Sequence, residues 1–150
     1  HYGGPKRMKR VGPLGIPQIL VPACVDFSVH HTTSIPDEMK KRPIYDHNPE
    51  FALARCTKEE MGKIGEYFAE CANTSRGPVT IVIPSEGFSI PNVPGGVFWD
   101  RDADALFESS MRAKLNSTIP VHSYAMHANS PEFGMVVAEE FLTLVTSKVA

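Results

Sequence analysis

The segment PVTIVIP, residues 78–84, is the clearest strand of this sequence and decides its fold class. It is rich in β-branched residues, uncharged and bounded by proline, which is typical of a parallel strand buried on both faces. The apolar segments IPQILVPAC and IPVHSYAM have the same character, and FALARC is a weaker strand. We therefore predict four mostly parallel strands of one sheet, near residues 17–23, 51–56, 78–84 and 119–126.

Helical signals separate these strands. Thr57 and Glu60 have the spacing of a capping box, and Ser130 followed by Pro131 is typical of an N-cap and a first helical turn. Acidic residues follow Asp100, where the helix dipole favours negative charge. These patterns predict helices near residues 57–74, 101–115 and 131–147.

The alternation of strands and helices predicts the α/β class, with a mainly parallel, Rossmann-like, three-layer sheet. Four strands make a small sheet, whereas a parallel sheet needs cover on its faces and edges. The chain also begins with His1 instead of Met. We therefore expect residues 1–150 to form a single α/β domain that is an incomplete doubly wound unit, from a processed protein or a piece of a longer one.

The composition is that of a soluble globular protein, with 42% hydrophobic residues, 21% charged residues and a formal net charge of −2. It gives no signal for nucleic acid, and no apolar run approaches the ~20 residues of a membrane span. Three cysteines without metal-type spacing favour the reducing cytoplasm. Cys24, at the end of a predicted strand, is the candidate reactive thiol.

Polar side chains gather where the predicted strands end, and two long connections, residues 24–50 and 85–100, leave from this edge. Ligands of open parallel sheets bind beyond the carboxyl ends of the strands, and loops longer than about 12–15 residues are usually functional. We expect residues 24–50 to be an irregular wall of a ligand pocket. The residues predicted to line that pocket are Asp26, His47, Arg55, Ser85, Gly87, Ser89, His127 and Asn129.

These residue types suit a small anionic ligand. Arg55 would hold the anionic group, His127 or His47 would move a proton, and Asp26 would orient a histidine. A metal site of Asp26, His47 and His127 is compatible with composition, but no histidine spacing supports it and we predict none. The sequence has no GxSxG, Walker or GxGxxG motif, the usual signatures of acyl transfer and nucleotide binding. Whether the protein is an enzyme stays open.

Other readings of the same residues remain. Asp26 could cap a turn, and Ser85 with Gly87 could only shape one. A non-enzymatic interaction module is the second functional hypothesis, with a contact patch of loop residues, and completion of a two-domain fold and dimer interface is the third. The residues of the predicted patch are Phe88, Ile90, Val97 and Trp99.

Five ordered segments resemble the Tm-one-like family: LGIPQILVPACVDF, HNPEFALARCTKEE, GPVTIVIPSEGFS, FWDRDADALF and HANSPEF. That family contains plant tomato mosaic virus resistance proteins, known as inhibitors of viral RNA replication, and uncharacterised microbial proteins. The resemblance extends from about residue 3 to residue 145. It implies that the chain is the later part of the second of two α/β domains. ATP is implied for the family's N-terminal domain, which this sequence does not contain, so the cofactor is unassigned. The implied partners are the remainder of the polypeptide or another copy, as in a homodimer.

Single positions agree with the family or depart from it. Glu86 stands where the family usually has a lysine and reverses the charge, Ser130 replaces an aspartate, and FSVHH also departs. The reversal at Glu86 bears on whether the chain shares the family's ligand. The positions that match the family's polar pattern are Asp26, His47, Pro49, Arg55, Gly87, Ser89, Asp102, Asp104, His127 and Asn129.

Overall fold

The structure, a computed structural model, describes residues 7–146. Its strands are β1 (Gln18–Leu20), β2 (Phe27–His31), β3 (Ile44–Asp46), β4 (Phe51–Arg55), β5 (Val79–Pro84) and β6 (Val121–Tyr124). Its α-helices are α1 (Asp37–Lys40), α2 (Lys58–Asn73), α3 (Arg101–Lys114) and α4 (Pro131–Thr146). Short 3-10 helices cover Gly12–Leu14 and Thr32–Ser34.

A parallel sheet of order β1-β5-β6 forms the centre of the fold. Ile81 of β5 lies opposite Leu20 of β1 on one side and opposite Val121 of β6 on the other. All residues of β5 are buried, as its uncharged sequence predicts. The α/β class and the parallel pairing of three of the four predicted strands are therefore confirmed.

Helices cover the faces of this sheet. Ile81 and Ile83 of β5 join Phe68 of α2 and Phe107 of α3 in one core cluster. Alternate residues of a strand point to opposite faces, so Val82 points the other way, and α4 contacts β1 and β5. Helices α2, α3 and α4 have nearly the predicted bounds, although residue 147 lies outside the described part of the chain.

The weaker predicted strand, residues 51–56, is a strand but does not join the parallel sheet. The prediction that it belongs to that sheet is therefore wrong. It forms β4, the centre of a separate antiparallel sheet of order β2-β4-β3. The connection from β3 to β4 is a tight turn in which Asn48 Oδ1 accepts hydrogen bonds from the backbone N–H groups of Glu50 and Phe51. So short a connection joins antiparallel strands, since a parallel crossover needs a dozen or more residues.

The sequence predicted that segment 24–50 is irregular, and this prediction is wrong. The segment contains β2, α1 and β3. Residues 85–100, in contrast, form a succession of turns and bends without helix or strand. Phe98 in this segment is fully buried and packs on Phe27 and Tyr45 of the antiparallel sheet, with ring centroids 6.2 and 6.3 Å apart. The turns thereby connect the two sheets.

No helix within residues 7–146 has the length and apolar character that crossing a membrane requires.

Candidate functional site

A buried polar cluster lies where the two sheets meet. Arg55, at the end of β4, is 4% exposed, and its Nη2 donates to Asp104 Oδ1 at 2.7 Å. Its Nη1 donates to the backbone oxygen of Asp26 at 3.0 Å and lies 3.6 Å from Asp26 Oδ2. One guanidinium therefore lies between two carboxylates. One belongs to Asp26, the residue before β2, and the other to Asp104 of α3.

Two neutral side chains complete this cluster. Ser89 Oγ donates to Asp26 Oδ2 at 2.7 Å, and Asn92 Nδ2 donates to Asp26 Oδ2 at 3.2 Å and Asp104 Oδ2 at 2.9 Å. Asp26, Ser89 and Asn92 are fully buried. Burial raises the pKa of the Asp104 carboxyl, against the lowering effects of Asn92 and Arg55. A buried charge that loses its partner costs about 3–5 kcal/mol, so the cluster is a structural junction.

His127 lies beside the cluster and is held through both ring nitrogens. Its Nδ1 accepts a hydrogen bond from the backbone N–H of Asn129 at 3.1 Å, and its Nε2 lies 2.9 Å from the Ser89 carbonyl oxygen. Since Nδ1 accepts, the neutral ring carries its proton on Nε2 and donates it to that carbonyl. Asp26 thus reaches His127 only through Ser89, and neither ring nitrogen is left for a ligand.

Gly87 lies beside the His127 ring, and its φ of 131° is unusual for a residue with a side chain. A Cβ built on Gly87 would lie 2.8 Å from His127 Cδ2 and would also meet the backbone oxygen of Asn92. The absence of a side chain at this position therefore lets the histidine approach the turn.

A cavity of about 450 Å³ opens beyond the ends of β5 and β6. Arg101, the first residue of α3, lies on its wall, with its guanidinium carbon 5.3 Å from the Trp99 ring centroid and Nη1 bonded to the Ser85 carbonyl. No ion pair involves Arg101 within residues 7–146. The residues that line the cavity are Glu86, Val93, Pro94, Trp99, Arg101 and His127.

The structure brings some of the predicted site residues together and separates others. Asp26, Arg55 and Ser89 share the buried cluster, while Gly87, His127 and Asn129 adjoin it. Ser85 is half-buried, and its Oγ donates to the Tyr124 carbonyl. Their roles in binding or catalysis stay predictions.

His47 lies apart from this group. It is exposed in the turn between β3 and β4, and its backbone N–H bonds to the Phe51 carbonyl. Phe51 and Arg55 are the two ends of β4, so His47 lies at the opposite end of that strand from the cluster. The sequence predicted that His47 lines the same pocket as His127 and Asn129, but the structure places it away from them.

Three residues of the region were not predicted as site residues. Asn92 lies between two prolines in a loop segment without periodicity, and its polarity among apolar neighbours was the available signal. The sequence predicts Asp104 only as an acid in the first turn of a helix, at a position that matches the family's polar pattern. The sequence places Arg101 at the start of a helix, and the tryptophan two residues before it was the available signal for a cation beside an aromatic ring.

Among the described residues, neither the thiol pKa values nor the arrangement of possible ligands supports a reactive cysteine or a metal site. Burial, and then Asp26, raise the pKa of the Cys24 thiol, which lowers its thiolate fraction at neutral pH. Burial raises the pKa of Cys56 to about 11. No group of three or more histidine, cysteine or acidic residues within 7–146 is arranged to hold a metal ion.

Fold and site thus define an α/β domain with a polar cavity at the carboxyl edge of a parallel sheet. Residues 2–145 match the domain described as "Uncharacterised protein family (UPF0261) C-terminal domain". The chain belongs to this family, which confirms the resemblance seen in the sequence.

Relatives from bacteria and a plant show the same relationship. A UPF0261 protein of Clostridium tetani is 29% identical over 144 residues, which are 95% of this chain and 36% of the relative. One from Mesorhizobium japonicum is 38% identical over 108 residues, 71% of this chain and 27% of the relative. The tomato "ToMV resistance protein Tm-1(GCR237)" is 31% identical over 114 residues, 75% of this chain and 15% of that protein. The chain therefore spans about a third of the length of the bacterial relatives, or less.

Proposed function

We propose that this domain binds a small anionic ligand in the cavity beyond β5 and β6. The observation that carries the proposal is the placement of Arg101 on the wall of a cavity of about 450 Å³, within the range of small-molecule sites. Arg101 has no ion-pair partner within residues 7–146, whereas Arg55 is buried between Asp26 and Asp104. We therefore give Arg101 the anion-binding role that the sequence suggested for Arg55.

The remaining residues have supporting roles in this proposal. Trp99, Val93 and Pro94 offer an apolar surface to the uncharged part of the ligand. His127 forms part of the wall, and Asp26 positions it through Ser89. Because both ring nitrogens of His127 are engaged with backbone groups, the proposal is a binding function and assigns no proton transfer.

The single tryptophan of the sequence provides the test, because Trp99 lines the cavity. Titration with hydrocinnamate, a carboxylate with an apolar ring, should change the Trp99 fluorescence saturably. The neutral hydrocinnamamide should bind at least about tenfold more weakly, since it lacks the charge that strengthens a hydrogen bond to arginine.

Variants of two arginines in α3 separate a specific contact from general charge. Arg101→Gln should weaken hydrocinnamate binding about tenfold or more. Arg112→Gln is the matched control, because Arg112 pairs with Glu108 and does not line the cavity. Equal affinities of Arg101→Gln and the unsubstituted protein, or the absence of a saturable signal, would contradict the proposal.

A protein-interaction function is the second candidate, and one observation favours it. The last helix exposes large apolar side chains, with Met135 and Leu142 each 60% exposed. The tomato relatives are named for resistance and susceptibility to a virus, which is a property of those proteins. Of the predicted loop patch, Ile90 and Val97 are exposed, whereas Phe88 belongs to the core.

A further inference from the structure

The cavity wall carries charges of both signs. Glu86 and Arg101 line it together, and Glu86 is exposed. Among the ion pairs of residues 7–146, none joins these two side chains and none connects either of them to a third residue. A carboxylate and a guanidinium that have no ion-pair partner among the described residues therefore line the same cavity.

Both charged residues are attached to one turn of the backbone. Arg101 Nη1 donates to the carbonyl of Ser85, the residue before Glu86. The backbone N–H of Glu86 donates to the Met126 carbonyl at 3.1 Å, which ties this turn to the end of β6. Because this turn fixes the backbone of Glu86 and also holds the guanidinium of Arg101, the fold keeps both residues on the wall of one cavity.

A ligand with only a negative charge gains from Arg101 but is repelled by Glu86. A ligand that carries an anionic group and an ammonium group pairs with both, and its charges complement those of the wall. The apolar side of the cavity, formed by Val93, Pro94 and Trp99, suits an uncharged side chain between them.

We propose that the ligand class of this cavity is a small zwitterion, such as an amino acid with an apolar side chain, with its carboxylate on Arg101 and its ammonium on Glu86. This inference rests on the proposed anion-binding function and adds a second recognised charge. It makes Glu86 a specificity-determining residue of the site.

Three related probes test the inference through Trp99 fluorescence. L-Phenylalanine has both charges, hydrocinnamate has the same skeleton without the ammonium group, and phenethylamine has it without the carboxylate. L-Phenylalanine should bind at least about tenfold more tightly than either, because each missing charge removes one charge-assisted contact.

Glu86→Gln should abolish this preference by weakening L-phenylalanine about tenfold, while hydrocinnamate binds as well as before or better. Glu132→Gln is the control, because Glu132 lies in the first turn of α4 at the same edge of the sheet but does not line the cavity. It should preserve the order of the three probes.

The outcomes separate this inference from the proposed function. If hydrocinnamate binds through Arg101 as tightly as L-phenylalanine, and Glu86→Gln changes neither affinity, the zwitterion inference is wrong and the anion site stands. If no carboxylate probe binds, or if Arg101→Gln has no effect on binding, both are wrong. Tighter binding of phenethylamine than of L-phenylalanine would also overturn both.

Discussion

Arg55 lies between two aspartates where solvent has almost no access, and the reason is electrostatic. Asp26 and Asp104 would each be costly to bury alone, and the guanidinium donates to the Asp104 carboxylate while its Nη1 lies 3.6 Å from Asp26 Oδ2. The cluster still contains two carboxylates for one cation. This excess of acid agrees with the raised pKa of Asp104, whose main cause is burial.

We predict that Asp104 makes stability depend on pH in a defined direction. Because folding raises its pKa, its contribution is fully present below the unfolded value of about 3.9 and is lost as pH rises through the folded value. The stability of the unsubstituted protein relative to Asp104→Asn should therefore fall as pH rises from about 3 to about 6.

Urea unfolding at a series of pH values measures this difference. Carboxyl groups that are common to both proteins largely cancel, and the charge of Asp26 acts in the same direction as burial because it too raises the pKa of Asp104. A constant difference, or one that grows with pH, would show that Arg55 outweighs the burial of Asp104.

Gly87 gives a second residue-level prediction. Gly87→Ala should cost on the order of 3 kcal/mol, because the new Cβ would meet both the Asn92 backbone and the His127 ring at a positive φ. Gly95→Ala is the matched control. Gly95 also has positive φ, 80°, but no atom lies within 4 Å of the added Cβ, so the cost should be about 1 kcal/mol.

Urea unfolding checks both glycine variants, and the His127 ring signals in NMR should shift only in Gly87→Ala. Equal losses in the two variants would mean that backbone strain, and not contact with Asn92 and His127, decides the need for glycine at position 87.

Among the elements, the helices were predictable because their signals are local. The capping box of α2 is present in both directions, with Thr57 accepting from Glu60 N–H and Glu60 accepting from Thr57 N–H. Ser130 caps α4 through the Phe133 N–H. β5 was predictable for the same reason, since its sequence alone marks it as buried.

The antiparallel sheet was not predictable from local pattern. The sequence of β2, FSVHH, has only two apolar residues, Phe27 and Val29, and β3 is three residues long, so neither gives a strong local signal. Their stability comes from pairing with β4, which is a long-range contact. The edge of the sheet at which the candidate site lies was predictable. The burial of Arg55 was not, because it depends on the long-range contact between the end of β4 and Asp104 of α3.

The contact between α2 and α3 supports a prediction about helix packing. Gly65 of α2 faces the backbone of α3 at Phe107, so closely that a Cβ would overlap it. Gly65→Ala should cost on the order of 2–3 kcal/mol despite the better helix propensity of alanine. The two helices would have to move apart.

Gly62→Ala, one turn earlier, is the control. Its added Cβ would lie 3.4 Å from Leu106 and Ser110 side chains, which is ordinary contact, so stability should change by less than about 1 kcal/mol. Thermal or urea unfolding decides between these expectations. A loss in Gly62→Ala as large as in Gly65→Ala would contradict the assignment of Gly65 as the point of closest approach.

For the whole molecule, the main feature is that one side of α4 exposes large apolar side chains. Phe133 is buried against the rest of the chain, yet Met135, Phe141 and Leu142 are 60%, 43% and 60% exposed. Large apolar side chains exposed together normally mark an interaction surface. The outer strands β1 and β6 also lie at the edges of the parallel sheet. The chain covers 36% and 27% of the length of two bacterial relatives. It stays a prediction that residues 1–150 are the later portion of the second of two domains.

We predict that the 150-residue chain on its own associates through the outer side of α4. Burying a leucine contributes about 1.5–3 kcal/mol, so Leu142→Glu should abolish the association that sedimentation velocity detects as concentration rises. Ile90→Glu is the matched control, because Ile90 is 57% exposed but lies in the loop patch near the cavity. It should leave association unchanged. Loss of association in Ile90→Glu alone would assign the interface to that loop patch, and a monomer at every concentration would show that the apolar side of α4 does not bind a second copy.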